Sequence, residues 1–224
     1  MTPASPPAPA LAPSRTQRGV GRWDPLEPRG LVRLLAKPAA FLGANWAAML
    51  GILTVVGIVP ALAGATRVTG DLAEHRDSAF TSTLEHMRRT LRRDAPASGA
   101  LLLVCLGIAM NAVVLPAMAP SARVFAVGAV LPVTWVLVAL LSAYVVVAAS
   151  DQRGDRSTIV WRALSLTARR PVTALAAPAL IALLAPLWLL APLTIACGFS
   201  VPPWVLARAW GGLRPDRPRD AGPG

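Results

Sequence analysis

Residues 95–150 read APASGALLLVCLGIAMNAVVLPAMAPSARVFAVGAVLPVTWVLVALLSAYVVVAAS, and the only charge in the stretch is Arg123. About 20 apolar residues cross a roughly 30 Å hydrocarbon core as a helix. The stretch holds two such lengths, and Pro116, Pro120, Ser121 and Arg123 fall where a turn would divide them. It reads as a helical hairpin, roughly 98–115 out and 124–149 back. Two further blocks, 38–66 and 171–207, also carry no charge. A single helix over the last block would reach about 56 Å, so Pro192 is expected to divide it. The fold class expected is all-α: a multi-pass transmembrane helical bundle of about five passes, with runs near 39–66, 98–118, 124–149, 172–191 and 193–209. Four passes, with the final run partly interfacial, is the alternative.

Composition agrees with that reading. Of 224 residues, 54% are hydrophobic and only 15% charged, against about 25% in a soluble domain. The net charge of +11 would suggest nucleic acid in a soluble protein. Here the basic residues flank apolar runs without aromatic interleaving, so the expected partner is a lipid bilayer with anionic headgroups, and no nucleic acid. Residues 1–34, rich in Pro, Ala and Arg, are expected to be a disordered tail, as are residues 211–224. The N-terminal segment lacks the basic and short apolar regions of a signal peptide. Cys105 and Cys197 lie inside apolar runs and read as small hydrophobes, not as a disulfide framework.

The polar connections carry their own pattern. Residues 71–93 read DLAEHRDSAFTSTLEHMRRTLRR, with Phe80, Leu84, Met87 and Leu91 at helical spacing. Asp71, Glu74 and Asp77 crowd one end and Arg88, Arg89, Arg92 and Arg93 the other, as a helix macrodipole favours. An amphipathic helix in the interface plane is expected, or one whose stripe packs on the bundle. Residues 151–170 form a second amphipathic connection, with Trp161 as an interface anchor and Arg169-Arg170-Pro171 at its end. Candidate headgroup or partner contacts are therefore Arg88, Arg89, Arg92, Arg93, Arg169 and Arg170. Residues expected to shape helix packing or kinks are Asn45, Gly57, Pro60, Gly64, Asn111 and Pro192. Pro60 should kink or stop the first helix, the glycines allow close approach, and Asn111 is expected to bond across to a neighbouring helix.

Reactive constellations are lacking. No ionisable residue other than Arg123 lies within an apolar run, which disfavours a proton relay. P-loop, HExxH and GxSxG motifs do not occur. His75 and His86, eleven residues apart on one expected helix, would be about 16 Å apart, too far to share a metal ion. Solvated or headgroup-facing histidines are expected. No catalytic residue, cofactor or metal is assigned, and the chain is not expected to be an enzyme. If it were one acting on lipid or glycan at the interface, Glu74, His75, Asp77, Glu85 and His86 would be the candidates.

Basic residues prefer the cytoplasmic side. They number six in the N-terminal segment, six between the first two runs, one in the hairpin turn, five before the fourth run, none near Pro192 and four at the C-terminus. Strict alternation over five passes collects fifteen on one side and seven on the other, which places residues 71–93, 151–170 and the C-terminus in the cytoplasm. It also strands six basic residues outside. A re-entrant first run, folded back at Pro60, would remove that conflict.

The pattern resembles the YesL-like family of bacterial membrane proteins, a domain family of unknown function, over roughly residues 35–210. The residues that carry the likeness are Asn45, the segment Gly57-Ile58-Val59-Pro60-Ala61-Leu62-Ala63-Gly64-Ala65-Thr66, and Phe80 followed by Arg88-Arg89-Thr90-Leu91-Arg92-Arg93. The resemblance implies a bacterial cell-membrane location and an accessory or regulatory part in carbohydrate uptake, with a sugar ABC importer complex as partner. It implies no catalytic residues. A transport or channel-forming subunit is the alternative reading.

Overall fold

A computed structural model describes residues 31–72, 74–75 and 77–212. Residues 1–30 and 213–224, which hold most of the two expected tails, lie outside the described residues. Residues 31–34, placed in the tail from sequence, begin the first helix. Three helical stretches are long and apolar enough to cross a membrane: Ala79–Ala117, Pro120–Ser150 and Pro171–Leu189. The other two expected passes are not continuous helices.

The first apolar run is a hairpin of α1 (Leu31–Ile52) and α2 (Ile58–Gly70). The thirteen residues of α2 rise about 20 Å, short of a bilayer core. The fold-back lies at residues 53–57, not at Pro60. Thr54 Oγ1 staples it, donating to the Gly51 carbonyl at 2.7 Å and accepting from the Gly57 N–H at 3.2 Å. Val55 takes a left-handed φ of 62°, which a β-branched residue rarely adopts. Pro60 sits in the first turn of α2, where a missing N–H costs nothing. Gly64 lets α2 close on the next helix: a Cβ there would lie 2.9 Å from the Thr83 carbonyl oxygen.

The long helix α3 (Ala79–Ala117) joins the basic segment and the second apolar run in one rod of about 58 Å. The first polar connection is therefore not a separate interfacial helix. Asp94 and Ser98, at the junction, are fully buried with partners of their own, so the backbone continues through Pro96. α4 (Pro120–Ser150) returns antiparallel, as expected. Arg123 Nη2 donates to the Pro116 and Met118 carbonyls at 2.9 and 3.0 Å, closing the α3 C-terminus. Beyond Ser98 and before Ala139 this hairpin is mostly uncovered, with Leu103, Val113, Val124 and Phe125 all more than two-thirds exposed.

α5 (Arg156–Arg169) begins at Asp155, whose carboxylate accepts from the Ser157 hydroxyl and N–H. Those bonds hold the carboxyl below its usual range. Ile159 and Ala163 turn into the core while Trp161 points out. α6 (Pro171–Leu184) starts on Pro171. The last run is then broken: α7 (Pro186–Leu189), α8 (Ala191–Leu193), a π-helical turn Thr194–Gly198 and α9 (Val201–Ala209). Pro192 follows the extended Leu190 at one of these breaks. α9 rises only about 14 Å, so residues 193–209 do not form one continuous helix. The excursion closes where Arg170 Nη1 donates to the Trp210 carbonyl at 2.6 Å. The core is built largely of Ala and Val from α1, α2 and the second half of α4, small residues that suit close helix packing.

Candidate functional site

The first half of α3 buries Ala79, Thr83, His86, Thr90, Asp94 and Ser98. After Ala79 every one of them is polar. The apolar stripe read from sequence lies to the side, with Phe80 exposed and Leu84, Met87 and Leu91 half-buried. The inward stripe meets hydrogen-bond partners on α2, on α4 and in the α4–α5 loop.

Each buried group is spent in a specific way. Thr83 and Thr90 return their hydroxyls to the Ala79 and His86 carbonyls on their own helix. Ser98 Oγ accepts from the Val59 N–H at 3.0 Å and donates to the Val56 carbonyl at 2.8 Å, tying the α1–α2 turn to α3. Asp94 accepts from the Tyr144 hydroxyl at 2.8 Å and takes a two-pronged bond from Arg93 at 2.8 and 2.9 Å. Arg93 Nη1 also donates to the Asp151 carbonyl at 2.7 Å and reaches that of Gly154 at 3.3 Å. This arginine, grouped with the headgroup-facing ones from sequence, is a nearly buried clamp joining α3 to the α4–α5 loop, because Asp94 beside it is fully enclosed. Arg88, Arg89 and Arg92 are exposed, and Arg89 pairs with Glu85 one turn away. Arg169 is exposed, whereas Arg170 is half-buried against Trp210.

His86 departs from the expectation of a solvated ring. It is 1% exposed, its Nδ1 is 3.0 Å from the Gln152 amide nitrogen, and its Nε2 has no partner. His75 is not on the same helix; it lies in the loop before α3. The two histidines line one cavity of about 190 Å³ together with Arg67, Glu85, Arg89 and Gln152. Among the described residues no group of three or more His, Cys, Asp or Glu is placed to hold a metal ion.

Asn45 bridges α1 to the broken last run. Its amide donates to the Thr194 and Ile195 carbonyls at 3.1 and 2.8 Å, and its oxygen accepts from the Phe199 N–H at 2.6 Å. All three are backbone groups within the π-helical turn or at its end. Asn111, expected to bond across, is half-buried and has no hydrogen-bond partner among the described residues. Sequence reasoning passed over Asp94, Ser98, Tyr144 and Gln152. The signal for the first two was present, since Thr83, His86, Thr90, Asp94 and Ser98 recur every three or four residues.

No family model, curated protein or solved structure matches this chain. What it does is therefore argued from its own residues.

Proposed function

We propose that this chain is an integral membrane protein with a non-enzymatic, accessory role in carbohydrate uptake, and that it engages a membrane-embedded subunit of a sugar ABC importer. The observation that carries the reading is the bare outer half of the α3–α4 hairpin, where Leu103, Val113, Val124 and Phe125 are left more than two-thirds exposed by the described residues. The buried polar groups support it, since Asn45, Asp94 and Ser98 are engaged in holding the bundle together. The choice of importer rests on the YesL-like resemblance. In this reading all basic segments but the Arg123 turn face the cytoplasm, and α1–α2 is re-entrant.

Pull-down of the tagged protein in mild detergent tests the proposal. An importer subunit should co-purify with the wild type and be lost when Leu103, Val113 and Phe125 are changed together to alanine. Repeated recovery of the protein without any importer subunit defeats it.

A transport path through the broken last run is less well supported. Broken helices can bind substrate through exposed backbone groups, but here Asn45 bonds three backbone groups of the broken run. Sugar flux through liposomes holding the purified chain alone would reverse that preference.

A further inference from the structure

The cavity between α2, the loop before α3, α3 and the end of α4 has the character of an anion site. Arg67 reaches it from α2 and is half-buried. Among the described residues its side chain makes one long hydrogen bond, 3.4 Å, to the Ala149 carbonyl. Among the described residues no carboxylate lies within ion-pair distance of it. Arg89 lines the same cavity, and among the described lining residues its partner Glu85 is the single carboxylate. The walls therefore carry surplus positive charge before any histidine is protonated.

The second observation is independent. The His86 Nδ1 is held 3.0 Å from the Gln152 side-chain amide, which leaves Nε2 as the ring's other polar atom. Nε2 is enclosed and has no hydrogen-bond partner among the described residues, a costly arrangement that native proteins rarely keep without a purpose. The cavity's roughly 190 Å³ is far above the roughly 10–15 Å³ a single water needs on the same measure.

We propose that this cavity binds a phosphate group. Its ionised oxygens accept hydrogen bonds, and the walls offer matching donors in the Arg67 guanidinium as a planar fork, the Arg89 guanidinium and the Ser82 hydroxyl, with the His86 ring alongside. His75 closes the loop side. The phosphate could be carried by a lipid headgroup or by a small soluble ester, and both present the same oxyanion.

The full-length protein in phosphatidylcholine nanodiscs tests this in two arms. In one, inorganic phosphate is titrated and the ring nitrogen signal of His86 is followed, assigned by its absence in His86→Gln. In the other, phosphatidylglycerol replaces a graded part of the lipid. A saturable shift in the first arm identifies a soluble phosphate, and a shift only in the second identifies a headgroup. In the responding arm Arg67→Gln should weaken the apparent affinity by about tenfold. Arg67→Lys keeps the charge without the fork; it should weaken binding several-fold, and it serves if Arg67→Gln does not fold. The proposal is overturned if neither arm moves the His86 signal. It is also overturned if the folded Arg67 variants respond as the wild type does, or if chloride at matched ionic strength produces the same shift.

Discussion

Asp94 has the most to lose of any residue in the molecule. It is completely enclosed, and its two oxygens hold Arg93 and Tyr144. Breaking a buried ion pair by neutralising one member leaves the other charge without compensation, at about 3–5 kcal/mol. Arg93 keeps the Asp151 and Gly154 carbonyls, so Asp94→Asn should fall at the low end, about 3 kcal/mol. Tyr144→Phe removes a single hydrogen bond and should cost about 1 kcal/mol. Unfolding in mixed micelles measures both. A larger loss for Tyr144→Phe than for Asp94→Asn would show that the arginine clamp adds nothing to stability.

Among elements, the α3–α4 hairpin was legible from sequence because two uncharged runs flank a turn marked by Pro116, Pro120 and Arg123. The two broken elements were not, for a reason that distance makes plain. The turn after α1 is written in Leu53, Thr54, Val55 and Val56, which carry no turn signature; it is held by Ser98, about forty residues away. The π-helical turn is held by Asn45, about 150 residues away. Local pattern cannot report a bond of that range. The polar stripe of α3 failed differently: it was as periodic as the apolar one beside it, and its partners Val59, Tyr144 and Gln152 lie far along the chain. Asn45→Leu should therefore act on the far element more than on its own. With interhelical bonds in membranes worth about 0.6–2 kcal/mol, a loss of about 2 kcal/mol is expected. The Phe199 amide should exchange with deuterium faster while the α1 amides near position 45 do not. Equal protection of Phe199 in the variant would refute the bridging role.

At the scale of the whole molecule the chain makes three excursions from one polar end. α1 and α2 go out and fold back at residues 53–57. α3 and α4 turn at Met118 and return to where Arg93 meets Asp151. α6 leaves beside Arg170, and the chain comes back to it at Trp210. Each excursion begins and ends among arginines, and only the turn of the second carries one at its far tip. Such an arrangement obeys the charge bias of cytoplasmic loops without exporting the basic N-terminal segment. It makes a discriminating prediction. With Cys105 and Cys197 changed to serine, single cysteines are placed at Ser14, Ser121 and Thr158. A membrane-impermeant maleimide on intact cells should label only the Ser121 variant, and on inverted vesicles only the other two. Labelling of the Ser14 variant in intact cells would mean that the first hairpin is pulled open into a spanning helix in the bilayer. The Ser98 bonds to Val56 and Val59 would then have to break, and Ser98→Ala would no longer affect stability. Those two readouts fail or succeed together, because the Ser98 hydroxyl ties to α3 the turn that decides on which side the chain begins.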